Sequence, residues 1–313
     1  MNLRASARST LVVIGNFDGV HSGHRALLGA SRAEASARSL ALVALTFDPH
    51  PSAVLGRGAL PVLTTLERKL ELLGAVCPEL TVVVEPFTPE LSQRSPEEFA
   101  RGVLAEALGA SLVVVGSNFR FGLGRSGDLQ TLERLGAELG FEARAEALHG
   151  DAEGPFSSGR IRRALAAGDL TTSERLLGRP HALSGEVVHG AGRGRTIGVP
   201  TVNLSGVVEA LPPYGVYAVL VDRLDATGAR VLGRGVANIG ERPTVGGGFS
   251  VEAHLFDFDG DLYGARLRLH LVARLREERR FPGIDALREQ IARDMSEARA
   301  AVAPRVPSGD AWY

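Results

Sequence analysis

His21 and His24 stand three residues apart in the run Gly15-Asn16-Phe17-Asp18-Gly19-Val20-His21-Ser22-Gly23-His24. An apolar segment, Leu11 to Ile14, leads in and a stretch with helical spacing leads out, so both imidazoles can face one point before the free N–H groups of a helix N-terminus. A triphosphate fits that point. Two imidazoles and a helix dipole can hold the bridging and leaving phosphates while a nucleophile attacks the α-phosphorus, and Gly23 lets the backbone approach closely. The same residues also suit a capped surface turn, and a motif this short decides little by itself.

Two more segments offer related chemistry. Phe156-Ser157-Ser158-Gly159-Arg160-Ile161-Arg162 opens a helix with hydroxyls and arginines, where Ser157 or Ser158 can cap the helix and also bind phosphate. Gly116-Ser117-Asn118-Phe119-Arg120-Phe121-Gly122 ends the apolar run Leu112 to Val115; Asn118 can hydrogen-bond a nucleotide, and the phenylalanines are equally core.

In the second half, Gly190, Gly192 and Gly194 alternate with Arg193 and Arg195 after Ala191, so backbone N–H groups there can cradle phosphates. Thr201 and Asn203 point the same way if Pro200 to Leu204 is extended, and their oxygens suit Mg²⁺, which keeps water and ATP oxygens as further ligands. No lysine follows the glycines, so this is not a Walker loop. Taken alone, the segment is a glycine-rich hairpin with solvated arginines, and Glu252 is one charged residue on a strand, with His254 on the same face.

The elements that must position these groups fall into two sets. Apolar runs at Leu11 to Ile14, Leu40 to Phe47, Leu80 to Glu85 and Leu112 to Gly116 alternate with helical stretches at Gly23 to Arg38, Leu66 to Val76, Ser95 to Leu108 and Gly127 to Leu139. That alternation implies a parallel sheet with helical crossovers, with ligands beyond the carboxyl ends of the strands. Helical segments at Ser157 to Ala167 and Thr172 to Leu177 precede a break at Gly178-Arg179-Pro180. Thereafter Gly185 to His189, Gly215 to Val221, Arg234 to Asn238, Val251 to Phe256 and Ala265 to Leu275 suggest an antiparallel barrel. A final helix, Ile284 to Val302, presents Ile284, Leu287, Ile291, Met295 and Ala298 for packing against it. The fold class is therefore α/β followed by β.

At 313 residues two domains are expected, with the boundary near Pro180. The net charge of -1 supplies no global field for nucleic acid or an anionic membrane, so phosphate recognition has to be local. Cys77 alone excludes an intramolecular disulfide framework, and no stretch approaches a membrane span; a cytoplasmic location is expected.

Taken in order, GNFDGVHSGH, TFDPHP at Thr46 to Pro51, GSNFRFG and SSGRIR resemble the FMN adenylyltransferase module of prokaryotic bifunctional riboflavin kinase/FAD synthetases. PTVN at Pro200 to Asn203, NIGERPT at Asn238 to Thr244, the segment Val251 to Phe258, Leu262-Tyr263-Gly264 and Leu275 to Phe281 resemble its riboflavin kinase module. The resemblance spans Leu11 to Asp294. It implies a Rossmann-like nucleotidyltransferase domain over 1–180 and a six-stranded antiparallel β-barrel with a terminal helix over 181–313. It also implies riboflavin, FMN and ATP as ligands, Mg²⁺ as cofactor, no nucleic-acid or membrane partner, and a monomer or weak self-association.

Carried over by position, the resemblance makes His21 and His24 catalytic, with Gly15, Asn16, Phe17, Gly23, Asn118, Ser157, Ser158 and Arg162 about ATP; Asp18, Pro49, His50 and Phe121 are candidates for the flavin, with no pattern selecting among them. In the second module it makes Glu252 the base for the terminal ribityl hydroxyl and Thr201 and Asn203 the Mg²⁺ ligands. Gly190, Gly192, Arg193, Gly194 and Arg195 then serve ATP, and Arg242 and Arg276 the flavin. The family pattern SSTxIR departs here at Gly159, which removes one hydroxyl from the second anion site. Rival readings are a nucleotidyltransferase for another phosphate ester and a flavin-binding protein that has lost one activity.

Overall fold

The computed structural model describes residues 9–56, 60–190, 198–241 and 248–313. The chain divides into two compact units, Met1–Ser158 and Gly159–Tyr313.

In the first unit the strands β1 (Thr10–Ile14), β2 (Ala41–Asp48), β3 (Thr81–Pro86), β4 (Ala110–Gly116) and β5 (Glu142–Glu146) form one parallel sheet in the order β3-β2-β1-β4-β5. Side chains alternate between its faces, and each face is covered. Leu11, Val13, Leu42, Ala44, Leu112 and Val114 pack with Leu28 of α1 (Ser22–Ala37) and, beyond the short α2 (Pro51–Val54), Leu73 of α3 (Leu66–Val76). Val12, Ile14, Val43, Leu45, Val113 and Val115 pack with the opposite layer. That layer holds α4 (Pro89–Ser92), α5 (Pro96–Phe99) continuing as a π-helix over Ala100–Ala107, and α6 (Leu129–Leu139). Because β1 lies between β2 and β4, the chain reverses its direction of travel across the sheet there, and a crevice opens at the carboxyl ends of β1 and β4.

A small hairpin, β6 (Gly150–Asp151) with β7 (Gly154–Pro155), leads to α7 (Ser158–Ala166) and α8 (Leu170–Leu177). The division into units falls at the start of α7, ahead of Pro180, and α8 packs on strands of the second unit.

The second unit is a closed antiparallel barrel in the order β10-β11-β12-β9-β8-β13. Its strands are β8 (His181–Val188), β9 (Val202–Ser205), β10 (Gly215–Asp225), β11 (Gly228–Glu241), β12 (Phe249–Leu255) and β13 (Arg266–Glu277). Closure leaves no strand edge, and inner residues such as Tyr217, Ile239, Val251 and Leu269 are buried. The helix α9 (Ile284–Val302) lays Ala298 and Val302 against Ala218 and Leu220 of β10.

The seated face of α9 shares Met295 and Ala298 with the expected stripe but is turned away from Ile284. Ile284 is 50% exposed, and the buried positions are Gln290, Asp294, Ala298 and Val302. Two of these are polar because Asp294 receives Nε and Nη2 of Arg276 at 2.8–3.0 Å and the Gln290 amide at 2.7 Å, a satisfied buried network. After α9, the indole Nε1 of Trp312 donates to the Val221 and Gly233 carbonyls at 3.2 Å each, and Arg234 lies 5.3 Å from the ring centroid.

Candidate functional site

In the first unit the crevice is a cavity of about 460 Å³ bordered by Gly15, Asn16, Phe17, His21, Gly23 and His24. Asn118, Phe121, Ser157 and Ser158 border it as well, so ten of the residues expected at this site meet in one place.

Its floor is the loop after β1. Phe17, Gly19 and Val20 have φ of 48°, 85° and 39°, in the left-handed region that a β-branched valine rarely enters. Such strain costs on the order of 1–3 kcal/mol per non-glycine residue and persists only where neighbours over-determine it. Here they do. Thr46 donates its hydroxyl to the Asn16 carbonyl at 3.1 Å, Thr64 Oγ1 accepts the Gly19 N–H at 3.1 Å, and the buried Asp18 carboxylate accepts the N–H groups of Leu63 and Thr64 at 2.9 and 3.2 Å. Asp18 is thus turned toward the backbone of residues 63–64, and the cavity is bordered by its neighbours.

His21 caps α1: its Nδ1 accepts the His24 N–H at 3.3 Å, which leaves the ring proton on Nε2. The two rings stack at 3.6 Å with 17° between planes, and Phe17 meets His24 edge-on at 5.2 Å. Nδ1 of His24 is buried and has no hydrogen-bond partner among the described residues. Burial first, then the adjacent His21 and Lys69, hold the His24 imidazole well below its ordinary pKa, so it is neutral at neutral pH. A Cβ on Gly23 would come within 3.2 Å of the His21 ring and of Phe156, so only glycine keeps this spacing relaxed. Ser158 donates to the Asp18 carbonyl at 2.8 Å, which joins the serine segment to the same loop.

Pro49 follows a cis peptide bond, and His50 caps α2 with Nδ1 near the Ser52 N–H and hydroxyl; Pro51 and Leu55 are the residues of that segment that border the cavity. Phe121 stacks on Phe119 at 5.4 Å and, with Phe47 and Phe87, makes one side of the cavity apolar. Arg162 follows on α7, in the second unit. Arg120 and Arg125 border the cavity and were not singled out from the sequence; each is one arginine among many there, and only the fold brings them to the crevice.

The second set of residues meets on the outer face of the barrel. Register places Asn203 of β9 and Asn238 of β11 on either side of Glu252 of β12, and Thr201 Oγ1 lies 3.5 Å from Glu252 Oε2. Val188 pairs with Asn203, so β8 delivers Gly190 against the same amide: a Cβ on Gly190 would fall 2.1 Å from Asn203 Nδ2. Asn238 donates to Glu278 at 3.2 Å, and the His254 ring lies 2.8 Å from the Pro200 carbonyl. Among the described residues no group of three His, Cys, Asp or Glu could hold a metal. Of the groups on this face, Thr201, Asn203 and Glu252 offer a hydroxyl, an amide oxygen and a carboxylate, oxygen donors that suit Mg²⁺ with phosphate and water completing the shell. Arg276 is held on Asp294. Gly192, Arg193, Gly194, Arg195 and Arg242 lie outside the described residues.

Comparison with known proteins finds two families along the chain, one for most of each unit. Residues 3–160 match the FAD synthetase family and residues 177–302 the riboflavin kinase family. The chain is 40% identical over 298 residues to the bifunctional riboflavin kinase/FMN adenylyltransferase of Escherichia coli K12, covering 95% of this chain and 94% of that one. It is 35% identical to the enzyme of the same description from Bacillus subtilis, covering 95% and 93%. A solved structure described as a macrolide-efflux protein from Streptococcus pneumoniae superposes with a TM-score of 0.80 at 28% identity, covering 94% of this chain and 95% of that one. Among the described residues no helix is long and apolar enough to cross a membrane.

Proposed function

The chain belongs to the bifunctional riboflavin kinase/FMN adenylyltransferase family, and from that premise we propose that its two reactions divide between its two sites. It is an enzyme of flavin cofactor synthesis that phosphorylates riboflavin with ATP to FMN and adenylylates FMN with ATP to FAD, releasing pyrophosphate. We assign adenylyl transfer to the His21–His24 cavity and phosphoryl transfer to the Glu252 face, with the functional boundary near Pro180.

The acceptors differ in charge, and the two sites differ accordingly. The phosphate of FMN is already an anion at neutral pH. Its oxygen can attack the α-phosphorus of ATP without a base, and the site has only to orient the two and stabilise the pyrophosphate that leaves. His21 Nε2–H, the N–H groups opening α1 and the hydroxyls of Ser157 and Ser158 would serve the phosphates. Asn118 would serve the nucleotide, and the Phe121 side of the cavity the flavin. The ribityl hydroxyl of riboflavin is neutral and must lose a proton to attack the γ-phosphorus, a task for Glu252. Thr201 and Asn203 would hold Mg²⁺, which when bound neutralises charge on the transferring phosphoryl group. The soluble ligands fit a protein of the cytoplasm.

The observation that carries the first assignment is the stacked imidazole pair at the N-terminus of α1, one ring capping the helix and the other buried with an unmatched nitrogen. The test incubates the protein with riboflavin and Mg-ATP and separates the flavins. His24→Ala is expected to stop at FMN, and Glu252→Ala to make no FMN from riboflavin yet convert added FMN to FAD. Normal FAD formation by His24→Ala removes that histidine from catalysis, and loss of both steps in Glu252→Ala contradicts separate sites.

A further inference from the structure

Lys69 is the only lysine among 35 Lys and Arg residues. It lies on α3 and is 5% exposed. The chain uses arginine for every other strongly basic position, so the one retained ammonium stands where a forked guanidinium does not serve. A buried cation also carries a desolvation cost that an apolar side chain of similar length avoids. Packing alone does not account for it.

The contacts of this ammonium lead to the adenylylation loop. Its Nζ lies 3.5 Å from Thr46 Oγ1 and 3.4 Å from the Phe47 carbonyl, long hydrogen bonds to the carboxyl end of β2. The Thr46 hydroxyl, accepting from Lys69, donates onward to Asn16, so one chain of polar contacts runs from α3 through β2 to the strained loop before His21. Burial lowers the Lys69 pKa, and the Asp18 and Asp48 carboxylates oppose that shift; His24 in turn feels the ammonium.

We propose that Lys69 is a positioning residue for adenylyl transfer, its buried ammonium tying α3 to the carboxyl end of β2 and holding a fixed positive charge within electrostatic reach of the His21–His24 pair. The tie keeps Phe17, Gly19 and Val20 in their left-handed conformations, and the charge favours a neutral His24 in the free protein and a polyanion in the cavity. The role rests on the assignment of adenylyl transfer to that cavity.

The experiment compares Lys69→Met with the parent full-length chain in both half-reactions and follows His24 by NMR titration. Riboflavin phosphorylation reports that the variant chain is folded at its other site and is expected to be unchanged. FMN adenylylation is expected to lose about 10- to 100-fold in kcat/KM, the scale of a small misplacement at a reacting centre, and His24 to titrate at higher pH. Adenylylation within about twofold of the parent, a difference too small to matter on that scale, with an unmoved His24 titration overturns the proposal. Should Lys69→Met unfold the first unit, Thr46→Val removes only the relay hydroxyl, and unchanged adenylylation in that variant overturns it as well. An active His24→Ala sinks the site assignment itself; an inactive His24→Ala beside a normal Lys69→Met sinks only the role of Lys69.

Discussion

His24 enters the free site neutral because burial, His21 and Lys69 all disfavour its charged form. A bound polyphosphate adds negative charge beside it and shifts the balance the other way, so binding of the ATP analogue should take up a proton. The sign follows: a pKa raised by the ligand means tighter binding as pH falls toward the free-state value. Calorimetry in buffers of different ionisation enthalpy measures this uptake, and a binding enthalpy independent of buffer rules it out. At this scale the sequence was a partial guide. The spacing of His21 and His24 placed both rings at one helix end, whereas the backbone-facing Asp18 carboxylate and the buried Lys69 depend on residues 46, 63 and 64, which no local pattern connects to them.

Elements were legible wherever burial wrote a period into the sequence. The runs of β1, β2 and β4 are apolar on both faces because both are covered, and they read as strands at once. The edge strand β5 reads Glu-Ala-Arg-Ala-Glu and carries no such signal; it is a strand because β4 offers it a ladder. The face of α9 was read only in part: Met295 and Ala298 pack on the barrel as expected, but the buried Gln290 and Asp294 are polar, and their partners are Arg276 on β13 and Arg279 just after it. In the barrel, Gly190 is an element-scale requirement: after β8 it lies against the Asn203 amide, and a Cβ there would push that amide aside. Gly190→Ala is expected to displace the Asn203 amide and raise the KM for Mg-ATP in riboflavin phosphorylation by about tenfold or more, the scale of one lost ligand contact. Adenylylation should be untouched. Steady-state kinetics of both half-reactions decide it, and an unchanged KM denies Asn203 its role.

For the molecule as a whole, the buried His181 sets part of the acid limit. Burial lowers its pKa to about 4, its Nε2 lies 2.7 Å from the Ala210 carbonyl, and the ring stays neutral in the fold. The unfolded chain protonates it near the ordinary value of 6.5, so stability is intact above that pH and declines as pH falls from 6.5 toward 4. The full loss is about 3 kcal/mol by linkage. Denaturant unfolding of the barrel at pH 7 and pH 5 should show the decline, and His181→Gln should flatten it; a parallel decline in that variant would assign the effect elsewhere. Domain order and fold class were readable at this scale because the two units bury apolar residues with different periods.

Trp312 is the chain's one tryptophan, and it sits sealed against β10 and β11 of the barrel unit. The protein therefore carries a built-in optical label on one half only. Its indole emission should be that of a shielded ring and should move to longer wavelength when the barrel opens. The adenylylating half, with no tryptophan of its own, is silent at that wavelength, so a change in the emission reports on the barrel unit alone.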